Sequence, residues 1–380
     1  MRTVLINGRV LTGEVLREDV AVVLEGDRIA DLVAADAAPD GARVDLDGGV
    51  LLPGFIDTQV NGGGGVLFND EPTVEGIAAI AAAHRHFGTT GFLPTLISDD
   101  LDVIDRAMRA VEAAIEQGVP GVLGIHIEGP YLSARRRGIH SLDHLRDLDE
   151  EGLVRLTSLK RGRTLVTVAP EAATPAMIGR LAAARVVVAI GHTNAGYDEA
   201  RRALDAGATG VTHLFNAMSQ LGNREPGVVG AALNDSDCWC GLIVDGRHVH
   251  DATLKIALRA RPLDRFMLVT DAMPSVGMTE KVFDLHGRRI TVQDGVCMDE
   301  HGTLAGADLD MASAVRNAVD RLGLTLPQAA FMAATAPAAF MGLSDERGRI
   351  EAGLMADLVL LDRDGQTVRT WIGGQSQSGV

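Results

Sequence analysis

The chain has 380 residues, 46% of them hydrophobic and 23% charged, with a formal net charge of −16. That length points to a large domain with a small one, and the composition excludes an intrinsically disordered class. The acidic balance excludes sequence-independent nucleic-acid binding, which needs a basic surface, but leaves room for a small anionic substrate met by a few local cations.

Residues 1–51 are short apolar runs broken by turn signals, as in TVLINGRVL, DVAVVLEGDRIADLV and ARVDLDG, and they predict the first part of a small β domain. The opening segment MRTVLINGRVLTGEV carries neither a long apolar stretch nor a cleavage site. No run approaches the ~20 apolar residues of a membrane span. Three cysteines, Cys238, Cys240 and Cys297, do not make an even disulfide framework. The expectation is a cytoplasmic protein in a reducing compartment, with no membrane and no nucleic-acid partner.

Residues 52–340 alternate apolar runs of strand length with Ala- and charge-rich amphipathic stretches. The strand candidates are 50–60, 89–96, 121–128, 164–170, 185–192, 209–214, 239–245 and 265–271. Between them lie stretches such as TVEGIAAIAAAHRHFG, DLDVIDRAMRAVEAAIEQG and YDEARRALDAG, each ending at a glycine that stops a helix. Eight β units with intervening helices predict an α/β fold, a (β/α)8 TIM-type barrel. Residues 341–380 return to the strand-and-turn style of the start. They predict the second part of a small β-sandwich formed by both chain termini, which often lie close together.

Chemistry in such barrels sits at the C-terminal strand ends. Five of the candidates place polar residues there: Gln59 and Asn61 on the first, Glu128 on the third, His192 on the fifth, His213 on the sixth and Asp271 on the eighth. Two histidines and a carboxylate form an open metal set that leaves a position for water. Such mixed ligands suit zinc, and also iron, cobalt or manganese. The stretch PGFIDTQVNGGGG puts Gln59 and Asn61 where a metal-binding His-x-His pair is expected. Its glycines are read as backbone bending around the barrel mouth, since the Gly-Lys-Ser/Thr ending of a phosphate loop is missing.

The other histidines and cations are read more plainly. His84 and His86, two apart on a helix, face different directions and are expected on the solvated surface. His126 sits one layer below Glu128 as a brace. His248 is assigned to substrate and His250 to a helix start. Arg135–Arg137 are read as a solvated charge run, with a phosphate patch as the alternative. Cys238 and Cys240 alternate on a strand, but no second cysteine pair completes a zinc site.

PGFIDTQVNGGGG, HIEGPYL, GHTNA, THLFNAM and TDAMPSVG, in this order, resemble the N-acetylglucosamine-6-phosphate deacetylase family of the amidohydrolase superfamily. The tail TAPAAFMGLSDERGRIEAGLMADLVLLD is similar to the superfamily's closing segment, so the likeness runs over nearly the whole chain. The resemblance implies metal ligation by Glu128, His192 and His213, and Asp271 as catalytic acid and base. It implies His140 and His248 as active-site histidines, either of which can stabilise the oxyanion. Asn216, Ala217, Arg224, Leu304, Ala305 and Gly306 are implied as substrate contacts. It implies one divalent metal ion per subunit, a homodimer, and a sugar phosphate as the small-molecule partner. Some family members share the Gln59 and Asn61 departure, which implies that one metal site is lost and the other kept. Two alternatives stand beside this: another amidohydrolase acting on a related N-acyl or cyclic amide, and a metal-free barrel serving as an interaction scaffold.

Overall fold

The computed structural model describes residues 2–378. Eight parallel strands form one continuous sheet. We label them β1 (Phe55–Val60), β2 (Thr89–Ile97), β3 (Gly124–Glu128), β4 (Arg163–Val168), β5 (Val187–Ile190), β6 (Gly210–Val211), β7 (Trp239–Leu242) and β8 (Phe266–Leu268). They pair in sequence order, and a single parallel bridge between Val60 and Ala272 closes the barrel. Each strand matches one of the eight apolar runs read from the sequence. The first run, however, is two strands. Val50–Pro53 joins a sheet of the small β layer, and the barrel strand begins at Phe55. The break falls at Gly54, where a Cβ would stand 2.1 Å from the Thr90 side-chain oxygen.

The helices form where apolar residues recur at helical spacing. Leu101–Glu116 buries Val103, Ile104, Ala107, Met108, Val111 and Ala114 along one face. Val74–Arg85 starts where the Thr73 side chain accepts from Gly76 N–H at 3.1 Å. The glycines predicted to stop three helices, Gly88, Gly118 and Gly207, all have positive φ.

Two further sheets lie together. One orders Arg28–Ala34, Val20–Glu25, Arg2–Ile6 and Ala42–Asp45. The other combines Arg9–Thr12, Val15–Arg17 and Val50–Pro53 with Leu358–Leu361, Thr367–Ile372 and Gln375–Ser378, so both ends of the chain share it. Leu5, Val22, Ile29, Leu51, Leu358 and Trp371 fill the core between them.

One feature was absent from the strand count. Val282–Leu285, Arg288–Gln293, Val296–Met298 and Leu304–Ala307 form a four-stranded sheet within the barrel segment. Its last strand bridges Ala307 to Ala272, directly after β8, and its apolar side packs Leu285, Ile290, Cys297 and Ala305 against Ile97 and Met273. This sheet brings Leu304–Gly306 to the barrel mouth. No helix among the described residues is long and apolar enough to cross a membrane.

Candidate active site

The loops after the barrel strands enclose a cavity of about 390 Å³, lined by Glu128, His140, His192, His213, Asn216, Ala217, His248, Asp271, Leu304, Ala305 and Gly306 among others. That is ample for a small ligand. Eleven of the twelve residues singled out from the sequence thus meet in one place. Arg224 is exposed on the loop after β6 and does not line the cavity.

Three donor atoms converge at the centre. Glu128 Oε1 lies 3.2 Å from His192 Nε2 and 3.1 Å from His213 Nε2, and the two nitrogens are 3.1 Å apart. Ligands on ~2.1 Å bonds at tetrahedral angles stand roughly 3.4 Å from each other, so this triangle fits a divalent ion. His192 Nδ1 donates to the Arg136 carbonyl at 2.9 Å, which leaves the Nε2 lone pair facing inward. Burial acts to raise the Glu128 carboxyl, but hydrogen bonds and charge from His192 and His213 outweigh it and hold the group well below its ordinary range. Burial would lower His213, yet its contact with Glu128 raises it. Such an electron-rich cluster, nearly sealed from water, calls for a cation.

His140 lies in a second triangle with Glu128 and His192, all within 4.8 Å. Its tautomer argues against ligation. Nδ1 accepts from the Ser98 backbone N–H at 3.3 Å and lies 2.8 Å from the Ser98 hydroxyl, so the ring proton sits on Nε2. Burial first, then the neighbouring His192, lowers His140 well below its ordinary value, so it is a neutral N–H donor.

Gln59 and Asn61 turn their amide nitrogens to the carboxylates and donate. Gln59 Nε2 lies 3.1 Å from Glu128 Oε1 and 3.1 Å from Asp271 Oδ1. Asn61 Nδ2 donates to the same Asp271 oxygen at 2.7 Å. Burial, then the charge of Glu128, raises the Asp271 carboxyl above its ordinary range, against the opposing pull of His213, His248 and Asn61. His192, His213 and Asp271 all have positive φ, at 46°, 33° and 52°. Each costs about 1–3 kcal/mol of backbone strain and marks a position fixed by its surroundings.

The remaining placements sort the other sequence readings. His248 Nδ1 is 2.6 Å from Asp245 Oδ2, with its ring edge on the cavity, whereas His250 caps the helix Asp251–Ala260. His126 is buried between Thr95 and Thr167 under Glu128. Gly306, at φ +68°, lets the sheet approach, since a Cβ there would stand 2.8 Å from the Asp271 carbonyl. One expectation fails. His84 is fully buried, its Nε2–H donating to the Gly62 carbonyl at 2.8 Å, because the glycine loop packs on its helix. Arg135, exposed as expected, and the half-buried Arg136 border the cavity, on a loop whose Arg136 carbonyl accepts from His192.

A match to the Amidohydrolase family runs over residues 50–376. The chain belongs to that family. Among curated proteins it is 43% identical over 370 residues to the N-acetylgalactosamine-6-phosphate deacetylase of Shewanella sp. (strain ANA-3), covering 97% of this chain and 94% of the relative. It is 34% identical to the N-acetylglucosamine-6-phosphate deacetylase of Haemophilus influenzae (strain ATCC 51907 / DSM 11121 / KW20 / Rd), covering 99% of each. The crystal structure of N-acetylglucosamine-6-phosphate deacetylase from Pasteurella multocida superposes with a TM-score of 0.96 at 32% identity, covering 100% of both chains.

Proposed function

We propose that this chain is a metal-dependent deacetylase that hydrolyses N-acetylglucosamine 6-phosphate to acetate and glucosamine 6-phosphate. The observation that carries this reading is the Glu128–His192–His213 triangle beside Asp271 in one cavity. The names of the relatives supply the substrate class. The 43% identity to an N-acetylgalactosamine-6-phosphate deacetylase, against 34% for a glucosamine one, favours that 4-epimer as a second substrate reading.

Glu128, His192 and His213 would hold one divalent ion, zinc by ligand type, which when bound would supply an acidified water and a Lewis acid for the acetyl carbonyl. The Asp271 carboxylate takes a proton from the attacking water as its oxygen bonds to the amide carbon. The same carboxyl then gives that proton to the nitrogen as the C–N bond breaks, leaving acetate and an amine. Its raised proton affinity suits both halves of this exchange. His140 Nε2–H donates to the carbonyl oxygen as it gains charge, a contact worth about 3–4 kcal/mol in the barrier. His248, held by Asp245 Oδ2 at 2.6 Å from its Nδ1, presents its other ring edge to the substrate. Arg135 and Arg136 are the in-chain guanidinium groups on the cavity and add charge-assisted bonds to phosphate oxygens. Asn216, Ala217 and the Leu304–Gly306 strand border the sugar. Arg224, exposed in its own subunit, reaches the site of a second subunit in a homodimer. Three buried free cysteines suit a cytoplasmic setting.

The test is kcat/KM for acetate release from both 6-phosphorylated N-acetylhexosamines and from unphosphorylated N-acetylglucosamine. The reading requires turnover of a phosphorylated sugar far above the unphosphorylated one. Faster cleavage of a cyclic amide or an N-acyl amino acid would overturn it.

A further inference from the structure

The barrel closes at a weak seam. Every other neighbouring pair of barrel strands shares a ladder, whereas β1 meets the segment after β8 at the Val60–Ala272 bridge, where the Ala272 carbonyl accepts from the N–H groups of Asn61 and Gly62 just past the strand end. Asp57 of β1 is fully buried beside this seam. Its Oδ2 accepts from the Thr270 hydroxyl at 2.5 Å. Its Oδ1 accepts from the backbone N–H of Gln59 at 3.1 Å and of Thr270 at 3.3 Å. The Thr270 oxygen in turn accepts from Ala272 N–H at 3.2 Å. One carboxylate therefore ties down the residues on both sides of Asp271, and also the backbone of Gln59, whose side chain meets Asp271. Asp271 lies between them at φ +52°, a conformation that a non-glycine residue keeps only when held.

We propose that Asp57 is a positioning residue that clamps the closing seam of the barrel and holds Asp271 in its left-handed turn, aimed at the cavity. The clamp accounts for a carboxyl group in the barrel wall that touches neither substrate nor metal ligands. Burial lifts the Asp57 carboxyl to about 7, against the opposing Thr270 and Gln59 hydrogen bonds. Its neutral form is therefore well populated near neutrality, and an asparagine reproduces the shape. The asparagine oxygen keeps both backbone N–H groups, and its amide donates to the Thr270 oxygen.

This inference rests on the deacetylase reading for its assay but has a second readout. Asp57→Ala, Asp57→Asn and Thr270→Val are compared with wild type for kcat, KM, metal content and crystal structure. A misplacement of about 1 Å costs roughly 100-fold, so Asp57→Ala is expected to lose about that factor in kcat. KM and metal content should stay near wild type. Thr270→Val cuts the same link from the other side, keeps the fold testable if Asp57→Ala does not fold, and should also lower kcat selectively. Asp57→Asn should restore most of the turnover. Wild-type kcat in folded Asp57→Ala, a loss that tracks metal or KM, or an Asn variant as impaired as Ala would overturn the proposal. If wild type releases acetate from neither sugar phosphate, the substrate reading fails. The structures then decide, and an unmoved Asp271 turn in the Ala or Val variant overturns the clamp.

Discussion

The side-chain amide of Gln59 faces both oxygens of Glu128, at 3.1 Å from Oε1 and 3.2 Å from Oε2. An amide nitrogen has protons to give and no lone pair to share. It occupies the place of a metal-binding histidine and works as a brace. Gln59→Ala should therefore retain the bound metal, while His192→Ala and His213→Ala should lose most of it. Elemental analysis of the three purified variants decides, and equal loss in all three would show that the amide ligates.

Among the described residues the cavity is lined by two carboxylates, Glu128 at the histidine triangle and Asp271 beside it, the proposed proton carrier. Asp271→Asn keeps an oxygen for the Asn61 and Gln59 amides, so the shape survives while the base is lost. Turnover should fall by about 10³-fold with metal content unchanged, within the range of general acid–base effects. Near-normal turnover would move the base to His248.

The pH profile carries a sign. The Asp271 carboxyl is raised above its ordinary value, first by burial and then by Glu128, and it must be ionised to accept a proton. Activity should fall as pH drops through this raised value, placing the acid limb of kcat above that of an ordinary aspartate. An acid limb at or below the ordinary range would contradict the assignment.

Phosphate selection separates two sets of arginines. Arg135 borders the cavity and Arg224 lies exposed outside it. Arg135→Ala should weaken kcat/KM for the phosphorylated sugar and spare the unphosphorylated one, because only the former carries the lost contact. Arg224→Ala should show the same selectivity only where subunits associate, which sedimentation of the variant can follow. A proportional loss on both sugars would assign either arginine to the fold instead.

Much of this was legible in the sequence, for local reasons. Glu128, His192, His213 and Asp271 each follow an apolar run and precede a loop, so the barrel rule alone gathered them. Even β6, only Gly210–Val211 in the structure, was visible through its flanking residues. What escaped depended on contacts between distant segments. Nothing near His84 announces that the glycine loop packs over it. That Arg135 and Arg136 border the cavity depends on a bond from His192, far along the chain. The four-stranded sheet at the mouth did leave a signal: Gly287, Gly295 and Gly302, all at positive φ, mark its turns. Their mixed charged and apolar neighbours fit neither a barrel strand nor a helix. Gly54 likewise hid a strand boundary inside one apolar run, because the crowding against Thr90 is tertiary.

The central claim is a single-metal deacetylase, and metal add-back tests it most directly. Protein stripped of metal is titrated with zinc while acetate release from N-acetylglucosamine 6-phosphate and its galactosamine epimer is followed. The account predicts that turnover of a phosphorylated sugar rises in proportion to bound metal and saturates at one equivalent per chain, the ion held by Glu128, His192 and His213. Turnover that appears only with a second equivalent, or no acetate from either sugar at any loading, would contradict it.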